Sequence, residues 1–203
     1  MVFSSTIFLF LFFPLVLLFY YNPLCGSRNY RNNVLLIGSI FFYAWGEPFF
    51  VFVMFLSIFI NWFFTLWIDR YEDKRRRKRC VVLLTVWNVS LFFVFKYLSF
   101  VLRNVNYFLK NDKLTLNIAL PIGISFFTFQ IMSYVFDVYY KKAAVQKSFR
   151  DVALYISMFP QLIAGPIVRY ETVAEEIAGR RENAGDFFNG MTRFILGLGK
   201  KVL

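Results

Sequence analysis

The sequence contains no histidine, only two cysteines and only 12 acidic residues among 203. The lack of histidine removes the commonest general base and the commonest metal ligand, and it excludes serine–histidine and cysteine–histidine pairs within this chain. Two cysteines, Cys25 and Cys80, cannot build a disulfide scaffold or a four-ligand zinc site. We predict no metal site and expect inert thiols, with palmitoylation as the alternative.

What the sequence has in abundance is apolar surface. Hydrophobic residues make up 59% of the chain and aromatic residues 22%, with 29 phenylalanines. A soluble domain of this size has no interior large enough for these side chains, so many of them must face a solvent other than water. The lipid bilayer is therefore the predicted surrounding of the chain.

Several uncharged stretches approach the roughly 20 residues that cross about 30 Å of hydrocarbon. About six such segments are predicted, some broken by proline or glycine: 2–21, 32–46, 49–68, 80–102, 114–136 and 152–168. Glu47 and Pro48 indicate a tight hairpin between the second and the third. A re-entrant element and a straight helix fit the sixth equally well. A last helix is predicted from an N-cap at Asp186. The predicted class is an all-α polytopic membrane protein.

The distribution of charge predicts how the chain is oriented. Seven Lys or Arg residues fall within 69–79, so the positive-inside rule makes this segment a basic cytoplasmic loop. Alternation of the segments then places Arg28 and Arg31 inside and the amino terminus outside, and 169–185 is predicted as a polar loop. The net charge of +11 is attributed to topology, and no nucleic-acid partner is predicted.

Two segments combine helix breakers with polar side chains: "LPIGISFFTFQIMSYVFDVYY" (120–140) and "MFPQLIAGPIVRY" (158–170). A broken helix in lipid exposes backbone groups that protein, water or substrate must pair. In the first segment, helical spacing puts Phe126, Gln130 and Ser133 on one face, which either forms a polar seam toward the bundle interior or a cavity or takes part in ordinary helix packing. In the second, Arg169 either binds an anionic phosphate or anchors the chain at the headgroups.

Other polar residues within the apolar stretches have structural interpretations. Asn61 and Asn88 are predicted to be hydrogen-bond partners between helices. Asp137 is either a buried acid or, with Lys141 four residues on, one partner of an i,i+4 ion pair at the membrane interface; the ion pair is the favoured interpretation.

Together with "LLIGSIFFYAWGEPFF" (35–50), the two broken segments resemble the membrane-bound O-acyltransferase family, in particular its bacterial alginate O-acetylation branch. The resemblance implies a polytopic enzyme of the bacterial inner membrane, whose helices ring a central funnel. There, an acyl donor such as acetyl-CoA or an acyl carrier would meet an extracellular polysaccharide such as alginate, or an extracytoplasmic partner protein for acetyl transfer. It implies no bound cofactor.

The family's catalytic histidine has no counterpart in this chain. The resemblance therefore implies that 1–203 is the amino-terminal part of a single transmembrane acyltransferase domain and carries no catalytic residue of its own. Residues that match the family motifs are expected to shape the funnel and the donor passage: Pro121, Gly123, Ser125, Phe127, Gln130, Pro160, Gln161, Gly165, Pro166 and Arg169. The alternatives are a secondary transporter, because broken helices also build midplane substrate sites, and a non-catalytic membrane scaffold.

Overall fold

The computed structural model describes residues 3–23, 26–109, 119–162, 165 and 168–202. Regular secondary structure in these ranges is entirely helical, which confirms the all-α class. Cys25, Pro166 and the beginning of the stretch 114–136 lie outside them. A π-helical segment (Phe8–Phe12) is followed by α1 (Phe13–Tyr20), α2 (Arg28–Gly46), α3 (Phe50–Arg70), α4 (Lys74–Lys96), α5 (Leu98–Leu109), α6 (Ile124–Tyr139), α7 (Phe149–Ser157), α8 (Phe159–Leu162), α9 (Tyr170–Gly179) and α10 (Ala184–Val202).

Two helices of the described chain, α3 and α4, are long and apolar enough to cross a membrane, and the apolar stretch Phe8–Tyr20 is shorter. The predicted hairpin is present, since α2 ends at Gly46 and α3 begins at Phe50. Helix α4 begins within the basic segment 69–79, where the Asp73 carboxylate accepts a hydrogen bond from the Arg75 backbone N–H at 2.9 Å. The structure therefore has helix, rather than loop, over the second half of that segment.

Helix α3 lies at the centre of the fold and packs against α4, α6 and α7. Its buried side chains include Met54 and Ile58, which join Ile131 of α6 and Ile156 of α7 in one apolar core. On the α4 side, Asn61 and Asn88 are partners between helices, as predicted, and are hydrogen-bonded to each other with N···O distances of 2.7 and 3.1 Å.

One end of the fold, which we call the basic end, collects the start of α2, the α3–α4 turn, the α6–α7 connection and the α9–α10 connection. Three side-chain contacts hold these segments together: Arg77 Nη2 to Tyr139 O (2.8 Å), Arg150 Nη2 to Asn29 Oδ1 (2.8 Å) and Arg28 Nη1 to Glu182 Oε1 (2.5 Å). At the opposite end, the carboxylate of Glu47 in the α2–α3 turn accepts a hydrogen bond from Ile122 N–H, just before α6, at 3.4 Å. These contacts put Glu47 and Ile122 at the end opposite to Arg28 and Arg150, and the orientation of the chain in the membrane stays a prediction.

Helices α7 and α8 form a re-entrant element rather than a straight span. Helix α7 begins at the basic end beside Arg150, and the chain reaches the opposite end at Leu162, whose carbonyl approaches Gly123. It has returned to the basic end by Glu171, whose N–H lies 3.5 Å from the carboxylate of Asp137. Of the two interpretations of 152–168, the structure adopts the re-entrant one, because prolines interrupt any single long helix there.

Two details of the carboxy-terminal region differ from the sequence-based expectation. The polar segment 169–185 contains α9, whose buried face includes Tyr170 and Ile177. Helix α10 begins at Ala184 rather than after Asp186, because Asn183 is the residue that caps it: Asn183 Oδ1 accepts a hydrogen bond from Asp186 N at 2.7 Å. The predicted cap at Asp186 is therefore wrong.

Candidate functional site

The two broken segments meet inside the fold at a pair of glutamines. Gln130 of α6 is buried, and its Nε2 donates hydrogen bonds to the backbone oxygen of Tyr155 and to Oε1 of Gln161, both at 2.9 Å. Because Tyr155 belongs to α7 and Gln161 to α8, one amide group holds both helices of the re-entrant element against α6. Two residues predicted from separate motifs therefore form one polar contact.

A second crossing of the same segments lies at Gly123, the residue that precedes α6. Its φ of +80° is in the left-handed region that favours glycine. A Cβ added here would lie 2.9 Å from the Leu162 carbonyl oxygen, closer than real Cβ contacts. Glycine is therefore required at position 123 for two reasons: the left-handed backbone conformation and the close approach of α8.

The turn that follows α8 is similarly tight. At Gly165, an added Cβ would lie 2.6 Å from the Cα of Gln161 and 2.8 Å from the carbonyl oxygen of Pro160. The backbone N–H of Gly165 donates to the Gln161 carbonyl at 3.2 Å. The chain thus turns back at the point where its sequence predicts a break.

The other predicted residues differ in how far they enter this region. Pro121 and Phe127 are buried, Ser125 is half-buried, and Pro160 and Arg169 are exposed. Pro166 lies outside the described residues. The predicted residues are therefore not all in one place. The two glutamines, the two glycines and the buried Pro121 and Phe127 lie in the region of the crossing, whereas Arg169 lies apart from it.

Two buried hydroxyl groups of α6 and α7 have no hydrogen-bond partner among the residues that the structure describes. They belong to Thr128, two residues before Gln130, and to Ser157 at the end of α7, with 2% and 0% exposure. Leaving a buried hydroxyl unpaired costs about 1–3 kcal/mol, so such groups commonly have a water or ligand partner. The polar groups predicted for the α6 segment are thus present, and the hydroxyl of Thr128 remains free to bind water or a ligand.

A polar pocket of about 340 Å³ opens at the basic end, beside the end of α6. Its lining combines two cations, one carboxylate, a hydroxyl and two aromatic rings: Lys142, Arg169, Asp137, Ser133, Phe136 and Tyr140. Arg169, expected from the motif, lies here and makes only a long, exposed ion pair with Glu171 at 3.5 Å. Lys142 was not among the predicted site residues, although the run Lys141-Lys142 after an apolar segment is a signal that could have indicated it.

Asp137 follows the less favoured of its two interpretations, that of a buried acid. It is buried, and its carboxylate accepts the hydrogen bond from Glu171 N–H in the first turn of α9. The predicted i,i+4 ion pair with Lys141 is wrong, because α6 ends at Tyr139 and Lys141 adopts a left-handed conformation with φ of 58°. A residue outside the helix cannot occupy the i+4 position on its face.

Charged side chains also converge on Glu182 at the basic end. Its carboxylate oxygens lie 2.5 Å from Arg28, 2.6 Å from Arg31 and 3.4 Å from Arg180, and it accepts a hydrogen bond from the Tyr20 hydroxyl. Burial alone would raise the pKa of Glu182, but the hydrogen bonds from Tyr20 and Arg28 outweigh it and lower the pKa to about 2. This cluster ties the loop before α10 to α1 and α2.

No family model matches the chain. No solved structure matches it either. Curated proteins do match over its whole length. A protein named probable alginate O-acetylase AlgI from Pseudomonas syringae is 36% identical over 212 residues, and the protein of the same name from Pseudomonas aeruginosa is 37% identical over 207 residues. The peptidoglycan O-acetyltransferase of Helicobacter pylori is 30% identical over 232 residues.

These matches cover 100% of this chain but only 39% of the two Pseudomonas proteins and 44% of the Helicobacter protein. The chain thus spans about two fifths of the length of the curated relatives it matches. The relatives are named as O-acetylases or O-acetyltransferases, as expected for the family. The resemblance seen in three motifs is confirmed: over its whole length the chain is similar to proteins named as alginate O-acetylases.

Proposed function

We propose that this chain forms part of an integral enzyme of the bacterial inner membrane that transfers acetyl groups to an extracellular polysaccharide, or to a partner protein that does so. The observation that carries this proposal is the hydrogen bond between Gln130 and Gln161. It joins two family-like motifs that are 31 residues apart in sequence, between the continuous helix α6 and the short helix α8. The names of the relatives supply the reaction class.

Alginate or a similar polysaccharide is the favoured acceptor. The relatives named after alginate are 35–37% identical to this chain, compared with 30% for the relative named after peptidoglycan. Acetyl transfer to either polymer forms an ester with a sugar hydroxyl, so the two acceptors differ in identity rather than in chemistry. Peptidoglycan is therefore the second acceptor to examine.

The polar pocket at the basic end is proposed as the entrance for the acyl donor. Acetyl-CoA and acyl carriers both present phosphate groups, which Lys142 and Arg169 would bind through charge-assisted hydrogen bonds. The positive-inside rule places this end in the cytoplasm, where such donors are made. Further into the fold, the unpaired hydroxyls of Thr128 and Ser157 offer partners for polar groups of the donor or for water.

The residues of this chain support the reaction rather than carry out its proton transfers. No histidine is present to act as the general base that the family resemblance calls for. In the proposal, about six membrane-embedded segments form part of a ring of helices around a funnel, and the re-entrant element forms part of its wall. The crossing at Gln130 and Gly123 would hold that wall in place.

Acetyl ester measurements in the bacterium that carries the gene test the proposal. Deleting the gene should remove ester-linked acetate from the secreted polysaccharide and leave peptidoglycan acetate unchanged. The variant Gln130→Leu should lower polysaccharide acetate about tenfold, as a loss of roughly 1.4 kcal/mol of transition-state support would do. The matched control is Phe129→Leu, an exposed position on the same helix. Membrane levels of each variant are measured alongside.

Unchanged acetylation after deletion would contradict the proposed activity. Loss of peptidoglycan acetate alone would replace the proposed acceptor with peptidoglycan. Equal acetylation in the Gln130→Leu and Phe129→Leu strains, at equal protein levels, would contradict a role for the glutamine crossing.

A further inference from the structure

An apolar groove runs along the outside of the fold between α1 and α2. Its volume is about 450 Å³, and every side chain that lines it is apolar. Leu15 and Phe19 of α1 form one wall, and Ile37 and Phe41 of α2 form the other. Gly38 lies between them, where the helices approach so closely that an added Cβ would lie 3.2 Å from Val16. The missing side chain of Gly38 helps to make this surface concave rather than flat.

The groove leads toward the cluster of arginines around Glu182. Arg31 precedes Val34, which lines the groove, by one helical turn, so the two lie on the same face of α2. Across the groove, Phe19 is followed by Tyr20, whose ring lies 5.7 Å from the guanidinium carbon of Arg31. Charged and apolar surfaces therefore meet at this end of the groove.

The positive charge of the arginines in the cluster exceeds the negative charge of its carboxylate. Arg28, Arg31 and Arg180 surround the single carboxylate of Glu182, which leaves two unbalanced positive charges among these four side chains. Within the described part of the chain, Nε of Arg31 and one terminal nitrogen of Arg180 are buried without a hydrogen-bond partner. The three arginine side chains keep 18–26% of their surface exposed. The cluster is therefore complementary to one further anion.

The dimensions match those of one lipid molecule in one leaflet. From Arg31 to Phe41 the axis of α2 rises about 15 Å, which is half of the roughly 30 Å hydrocarbon core. A phosphate at the arginines would thus place an acyl chain alongside Val34, Ile37 and Phe41 in the same leaflet. The leaflet on the cytoplasmic side is also the one that the positive-inside rule assigns to Arg28 and Arg31.

We propose that the α1–α2 groove and the arginine cluster together bind one anionic phospholipid, with its phosphate at Arg28 and Arg31 and an acyl chain along Ile37 and Phe41. The site lies outside the polar pocket and the glutamine crossing, so it does not depend on acetyl transfer. The bound lipid would fix α1 and the loop before α10 against α2.

The test is lipid retention by the protein purified in mild detergent and exposed to mixed phosphatidylglycerol and phosphatidylcholine vesicles. Native mass spectrometry should show about one phosphatidylglycerol retained per protein, in several-fold preference to phosphatidylcholine. The variant Ile37→Trp fills the groove and should lower this retention several-fold. Its matched control, Phe52→Trp, changes an exposed apolar residue of α3 outside the groove and should leave retention unchanged.

Two charge variants separate lipid binding from a purely structural role. Arg31→Gln should reduce the preference for phosphatidylglycerol. Glu182→Gln removes the competing carboxylate, so it should keep or raise that preference even though it lowers thermal stability. Equal retention of the two lipids by the unmodified protein, equal retention by Ile37→Trp and Phe52→Trp, or loss of preference in Glu182→Gln would each overturn the proposal.

Discussion

Asn61 and Asn88 exchange two side-chain hydrogen bonds across the interface between α3 and α4, at 3.1 and 2.7 Å, and each is about 1% exposed. Each amide also donates to a carbonyl one turn earlier on its own helix, at 2.8 Å. The pair thus satisfies polar groups in the most apolar part of the chain. Its strength depends on both partners being present.

A double-mutant cycle measures this pair. Asn61→Leu or Asn88→Leu alone should destabilise the protein by about 1–2 kcal/mol, because each leaves the other amide buried without its partner. The double variant should lose less than the sum of the two, since no polar group is then left unpaired. The measurement is thermal unfolding in detergent, followed by helical circular dichroism. Strict additivity of the two losses would show that the pair contributes no coupling energy.

Gly123 offers a test of the crossing between α6 and α8. Gly123→Ala should destabilise the protein by about 1–3 kcal/mol, because alanine is strained at the observed φ of +80° and its Cβ would press on the Leu162 carbonyl. Gly179→Ala is the control, because an added Cβ there has no neighbour within 4 Å, and its effect should stay within about 0.5 kcal/mol. The measurement is the midpoint of thermal unfolding of both variants. Similar midpoints would contradict the close approach.

The Glu182 cluster predicts a pH-dependent contribution to stability. The pKa of Glu182 is about 2, below its ordinary value of 4.5, so the carboxylate is favoured in the folded state. Its stabilisation is therefore fully present above about pH 5 and is lost as the pH falls from about 4.5 to about 2. At pH 7, Glu182→Gln should cost on the order of 2 kcal/mol, as expected for charge-assisted hydrogen bonds.

Unfolding midpoints of the unmodified protein and Glu182→Gln between pH 7 and pH 3 check this dependence. The difference between the two should narrow as the pH falls. The control Glu175→Gln removes an exposed carboxylate on α9 and should have little effect at any pH. A difference that stays constant down to pH 3 would count against the electrostatic origin of the contribution.

The polar pocket predicts how the protein binds a phosphorylated acyl donor. Lys142→Gln and Arg169→Gln should each weaken acetyl-CoA binding several-fold, because each removes a cation that faces the pocket. Lys141→Gln is the matched control: it changes the adjacent exposed lysine, which does not line the pocket. Equilibrium binding to the purified protein, repeated at low and high salt, is the measurement. Equal affinities for the Lys141 and Lys142 variants would exclude the pocket as the phosphate site.

Features that depend on nearby residues are the ones the sequence predicted best. The turn at Glu47 and the break at Gly165 follow from local composition, and the role of Asn61 and Asn88 as hydrogen-bond partners between helices follows from the cost of isolated polar groups in lipid; that they pair with each other was not predicted. Gln130 and Gln161 were both predicted as residues that match the family motifs, but their contact with each other was not predicted. Their hydrogen bond depends on how a re-entrant element folds back, which no local pattern specifies.

The errors arise where a helix begins or ends. Asp137 and Lys141 have suitable spacing, but α6 ends at Tyr139, and the left-handed backbone at Lys141 leaves the ion pair unformed. The expected polar loop contains α9 because Tyr170 and Ile177 recur at helical spacing and are buried, a pattern that its many charges obscured. In both regions, the burial of side chains in the fold, rather than the local sequence pattern, determines where the helix lies.

The re-entrant element also affects how many times the chain passes from one end of the fold to the other. The segment between Arg150 and Glu171 begins and ends at the basic end, so it adds no net crossing from one end of the fold to the other. Lengthening or shortening it would leave every later segment in its original orientation, whereas inserting or removing a complete span would invert them. The segment beside the glutamine crossing can therefore vary in depth without reversing the helices that follow it.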